Sequence, residues 1–227
     1  MLGYAARAVP WTRVALAAAL VVVLIELVRR DPWVLWPLEG TAVAVLVGAA
    51  AWCFDEQAAA VVDVAPRGLA WRTTARLPAV VSLAAVWVAV VLHARSVLFE
   101  HELAILLQGL VAIVAGTAWA TWRRSGGEAM PGLLAATFAV PVATGWALVR
   151  PFQHGLPVFP YALGGEYGDW QTSTIGWTTA GAFALIALGI TLADARWWRG
   201  SHRPFDVSQR GSTTGTTAGP TAPTRTC

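Results

Sequence analysis

The sequence predicts an all-α, polytopic integral membrane protein of six transmembrane helices, with both termini in the cytoplasm. Three observations lead there. The 227 residues are 56% hydrophobic and 13% charged, with a mean hydropathy of +0.57, too apolar for a water-soluble domain of this size. The apolar residues gather into runs near the roughly 20 helical residues that a hydrocarbon core of about 30 Å demands. The basic residues fall between those runs, with a strong bias to one side.

One membrane domain, residues 1–199, is expected to hold all six spans. The first, Val14 to Val28, is short, but Arg13 and Arg29 at its ends can snorkel to the interface and lengthen the usable helix; no small-residue cleavage site marks it as a removed signal. The second runs from Val34 to Phe54. The third, Leu77 to Leu92, is again short and is bounded by Arg95. The fourth covers Leu103 to Trp122, and the fifth Met130 to Val149, where Pro141 is expected to kink the helix. The sixth is Thr174 to Ala193. Helices in lipid gain nothing from apolar burial against one another, so they need small residues for close approach. The fourth run supplies Ala112, Gly116 and Ala120 at four-residue spacing, and the fifth Ala135, Ala139, Ala143 and Ala147. From 200 to 227 the composition turns to Gly, Ser, Thr and Pro, which predicts a disordered cytoplasmic tail.

Orientation follows from arginine. An inside N-terminus puts Arg7, Arg13, Arg67, Arg72, Arg76, Arg123, Arg124, Arg196, Arg199, Arg203, Arg210 and Arg225 in the cytoplasm, twelve residues, against Arg29, Arg30, Arg95 and Arg150 outside. Tryptophan agrees, because Trp11, Trp33, Trp36, Trp52, Trp119, Trp122, Trp170, Trp177, Trp197 and Trp198 fall near span ends, where an amphipathic ring sits well at headgroup level.

Composition also excludes chemistries. All sixteen basic residues are arginine; without lysine there is no Walker A phosphate cradle and no Schiff base to pyridoxal phosphate. No HExxH, GxSxG or paired intramembrane aspartates occur, so no catalytic residue is assigned. The arginines are scattered and form no single basic face, which argues against nucleic acid. Cys53 and Cys227 fall at the predicted cytoplasmic end of a helix and at the extreme C-terminus, where a structural disulfide is not expected. His93, Glu100, His101, Glu102 and His154 all fall on the outer side, but their spacing supports no metal site, and they are expected to be solvated at the interface. Glu26 is expected to pair with Arg30 one helical turn on. Glu39 either lines a polar route or faces the headgroups. The lysine-free, alanine- and valine-rich composition suggests a high-GC bacterium, hence a bacterial plasma membrane.

Two connections stand out. The segment between the second and third spans, DEQAAAVVDVAPRGLAWRTTARLP, begins with Asp55 and Glu56, continues through small and aliphatic residues, and stops at Pro66. It reads as a surface helix near 55–66, followed by a second amphipathic piece carrying Arg67, Arg72 and Arg76. The 150–173 connection between the fifth and sixth spans carries Pro151, Pro157 and Pro160 among aromatic residues; it either dips back to seal an outer mouth or lies as an interfacial loop.

The first of these resembles the coupling helix of ABC-type exporter permeases, in which six spans carry a cytoplasmic helix between the second and third. The matching residues are Asp55, the run through Val64, the Ala65 and Pro66 pair, and Arg67; Gln57 and Ala58 stand where the family often has Gly-Thr, and Ala60, with Asp63 nearby, where it often has a second acid. The resemblance implies a permease subunit that meets a separate ATPase through Asp55, Glu56, Val61, Val62, Asp63, Pro66 and Arg67. It implies a second permease copy or related chain, and ATP and Mg held on the partner. The alternative is a non-transporting anchor or assembly subunit of a larger membrane complex, with a helix that only closes a loop.

Overall fold

The computed structural model describes residues 9–56, 69–149, 157–160 and 167–201, with the side chains of the last stretch described over 169–193. Among these residues every regular element is helical. Five helices are long and apolar enough to cross a membrane: α1 (Trp11–Arg30), α3 (Leu69–Ala94), α4 (Glu102–Ser125), α5 (Pro131–Val149) and α6 (Tyr167–Ser201). The chain is a multi-pass membrane protein. Between α1 and α3 lies α2 (Pro37–Trp52), preceded by a helical turn, Pro32–Leu35, capped by the Asp31 side chain, which accepts from Val34 N at 3.3 Å.

With 16 residues α2 is about 24 Å long, shorter than the other five, and it is the helix most enclosed by protein. Its buried residues, from Glu39 and Gly40 through Ala42, Val43, Ala44 and Leu46 to Ala51, cover every face, as expected of a helix that is apolar all round. It packs on α1, α4 and α5, while α4 packs in turn on α3 and α6. The α2–α4 pair is therefore the centre of the bundle. The ends register the directions: Trp36, His101 and Trp170, at the starts of α2, α4 and α6, meet at one end, and Glu56 meets Arg124 at the other. Arg13 at the start of α1 donates to Trp52 O at 3.0 Å and lies over the Trp52 ring, so α2 returns to the end from which α1 departs.

On α4, close packing depends on glycine at two places. A Cβ at Gly116 would strike the Val47 carbonyl of α2, and one at Gly109 would enter the Trp87 indole of α3. Trp87 is fully buried in that notch and donates Nε1–H to Leu106 O at 3.2 Å. The Ala112, Gly116 and Ala120 ridge is thus an α4 packing face, as the sequence spacing indicates. The fifth-run stripe is only partly so. Ala135 and Ala147 are buried, but between them α2 is met by Ala136 and Val140, which a Cβ at Gly48 would contact.

The reason for that shift is local. Pro141 lacks an N–H and its ring crowds the carbonyl four residues earlier, and α5 answers with a π-helical turn over Ala135–Ala139. The wider turn advances the helix face by one residue. Thr137 Oγ donates to Leu133 O at 3.0 Å and Leu134 O at 3.1 Å, occupying carbonyls that the turn frees.

Three other expectations change. The third helix starts at Leu69, not near Leu77, so Arg72 and Arg76 belong to α3 itself and not to a separate amphipathic piece. Glu26 pairs with Arg29 at 3.0 Å, and with His93 Nε2 of α3 at 3.1 Å, not with Arg30. Of the expected tryptophan belt, Trp36 and Trp170 are buried against protein at one end of the bundle, whereas Trp11, Trp33, Trp119 and Trp122 are exposed. The 202–227 tail lies outside the described residues.

Candidate functional site

Polar residues concentrate at the two ends of the bundle. One cluster begins where α2 stops. Asp55 Oδ1 accepts from Gly132 N at 2.6 Å. That N–H is one of the orphan donors at the start of α5, whose own N-cap, Met130, has no side-chain acceptor to offer. Asp55 therefore caps α5 from another segment. Gly132 permits the approach, since a Cβ there would meet the Trp52 backbone. Burial raises the Asp55 carboxyl above the usual aspartate range, opposed by the Gly132 N–H and by the Arg13 charge.

Glu56 sits among three arginines. Arg124 Nη2 lies 3.0 Å away, Arg76 Nη2 3.4 Å and Arg72 Nη1 4.0 Å. The Arg124 side chain is 4% exposed and that of Glu56 15%, so this is a buried ionic group and not a surface pair. Arg124 Nη1 also donates to Glu128 O at 3.0 Å, and Glu56 N donates to Ala129 O at 3.0 Å. Phe54, Thr73 and Thr121 close the cluster around the charges. In effect, two consecutive acids bind the exit of α2 to α3, α4 and the head of α5.

Of the residues singled out for partner coupling, Asp55 and Glu56 come together here, turned toward the bundle. Val61, Val62, Asp63, Pro66 and Arg67 lie outside the described residues. Arg124 was legible only as a positive-inside marker; its role as the main counter-ion of Glu56 comes from a separation of 68 residues in the chain, which no local pattern reveals.

At the opposite end, Trp170 is stacked by His101 at 3.9 Å and met edge-on by Trp36 at 6.4 Å. Partial burial holds the His101 pKa below the ordinary histidine value, against the pull of Glu100 and Glu102. Glu39 is 2% exposed and its Oε1 has no hydrogen-bond partner among the described residues; the same is true of Gln108 Oε1, Trp36 Nε1 and Trp170 Nε1. Since α2 and α4 run the same way with Gly116 beside Val47, Gln108 and Glu39, each eight residues earlier, stand at the same depth. Glu39 thus faces neither water nor headgroups. Gln108 went unread in the sequence, although a lone amide within an apolar run was the signal for it.

Of the expected 150–173 connection, 167–173 are instead the first turns of α6, and 157–160 cover this end. Phe159 is buried beside Gly40 and lies 5.8 Å from the Trp177 ring, and Val158 O accepts from Trp177 Nε1 at 2.8 Å and Ser173 Oγ at 3.1 Å. His154 and the other residues of 150–156 and 161–166 lie outside the described residues. No group of three or more His, Cys, Asp or Glu converges as a metal site among the described residues. Comparison with protein-family models, with curated proteins and with solved structures finds no match.

Proposed function

We propose that this chain is the membrane-spanning permease subunit of an ATP-driven ABC-type transporter, working as an exporter in a bacterial plasma membrane. In this reading it crosses the bilayer six times with both termini inside, and two copies, or this chain and a related one, enclose the path. Motion arrives from a separate ATPase through the segment that opens with Asp55. Substrate then moves as ATP binding biases the bundle between two packings.

The observation that carries the reading is the double anchorage of that segment. Asp55 caps α5, and Glu56 holds Arg72 and Arg76 of α3 and Arg124 of α4. A push on the residues that follow is therefore felt by three helices at once, which is what a coupling element requires. Six crossings are supported by the Arg13 contact with Trp52, because α2 then spans the same depth as α1 with help from the turn at Pro32–Leu35. The enclosed Glu39 and Gln108 place polar groups inside the bundle, where a second packing of the helices would open a path.

The test is the pair V61D and V62D. Both variants are expected to insert and to purify at wild-type levels while the co-purifying ATPase falls to its unstimulated rate. ATPase binding and stimulation equal to wild type would refute the coupling role, and a native complex that contains no Walker-motif ATPase would favour the anchor or assembly subunit instead.

A further inference from the structure

Between α2, α4 and α5 runs a groove of about 650 Å³, lined by Val47, Ala115, Trp119, Leu134, Phe138 and Val142 among other apolar residues, with Arg123 as its charged member. This lies within the roughly 300–1,000 Å³ typical of ligand sites. Small side chains at Ala115, Ala135 and Ala139 and the π turn in α5 leave the space open.

Length and polarity identify the occupant. From Arg123 to Ala115 is eight residues of α4, and from Leu134 to Val142 eight of α5, so the groove is about 12 Å long. That is close to the roughly 15 Å that one leaflet contributes to a 30 Å hydrocarbon core, and about half of what a transmembrane helix from a second copy would follow. Its charged end lies two residues before the end of α4, where a helix of this length leaves the hydrocarbon for the headgroups. There the Arg123 side chain is 36% exposed, lies 5.7 Å from the Trp119 ring centroid and pairs with Glu128 at 3.2 Å through one nitrogen. A planar guanidinium retains further donors for a second anion.

We infer that this groove binds one acyl chain of an anionic phospholipid, whose phosphate sits against Arg123. The site is independent of the transport reading, since it concerns neither the path nor the segment after Asp55.

The experiment is native mass spectrometry of the full-length protein released from vesicles of equimolar phosphatidylglycerol and phosphatidylcholine with identical chains. The wild type is expected to retain one phosphatidylglycerol about fivefold more often than phosphatidylcholine, the ratio set by one arginine at a membrane surface. R123Q should bring that ratio to about one, and A139L, which fills the groove, should lower retention of both lipids. Equal retention of the two lipids by the wild type, or an undiminished preference in R123Q, would overturn the inference. So would a second copy of the chain in place of lipid, lost in A139L. Should A139L fail to fold, R123Q decides, because its side chain is at the surface and its fold can be checked by thermal shift.

Discussion

Glu56→Gln is expected to destabilise the purified protein by about 3 kcal/mol, the low end of the cost of breaking a buried ion pair from one side. The carboxylate lies between Arg124, Arg76 and Arg72; neutralising it leaves three guanidiniums facing one another in a space where water does little to screen them. The loss should read as a lower unfolding midpoint in a detergent thermal-shift assay, with accelerated proteolysis of the segment that follows residue 56. The amide keeps the size of the acid but turns one of its two acceptor oxygens into a donor, so the loss combines the missing charge with one missing hydrogen bond from an arginine. A wild-type midpoint would show that the arginines are balanced by other groups.

The second large effect is expected at the Trp87–Gly109 notch. Trp87→Ala removes a fully buried indole and its hydrogen bond to Leu106 O, at a cost of about 3 kcal/mol. The value sits at the bottom of the range for tryptophan because lipid, unlike water, leaves little transfer term and makes packing the main loss. Gly109→Leu should cost at least as much, since its side chain would enter the indole. In the double variant the leucine occupies space the indole leaves, so the two losses should combine to clearly less than their sum. Strict additivity would mean that the two residues do not share one site.

The sequence revealed the parts of this molecule that the solvent dictates. Long apolar runs bounded by arginine announced α1, α4 and α5 within a few residues, because hydrocarbon tolerates little else, whereas α6 runs seven residues before and eight beyond the expected Thr174 to Ala193. It was less informative where protein replaces lipid. The start of α3 was missed by two turns, since Arg72 and Arg76 look like loop residues until Glu56 is seen to neutralise them. The shortness of α2 was missed because a helix enclosed by neighbours need not match the bilayer.

The candidate sites divide along the same line. Asp55 and Glu56 were recognisable as an acidic start, but their partners Gly132 and Arg124 lie 77 and 68 residues away. Glu26 found Arg29 and His93 in place of Arg30 because the bonds were decided by side-chain direction and by a neighbouring helix, not by helical spacing alone. Pro141 was expected to kink its span; that a π turn would precede it, and turn Ala136 and Val140 toward α2, depended on how α5 packs.

The transport reading depends on which side of the membrane the bundle ends face. The direct measurement uses a background in which Cys53 and Cys227 are replaced by alanine, with single cysteines introduced at Asp169 or Gly126, and an impermeant thiol reagent added to intact cells. The account predicts labelling at 169 and none at 126 until the membrane is opened. Labelling at 126 with protection at 169 would invert the topology, and it would remove the segment after Asp55 from the reach of any cytoplasmic ATPase.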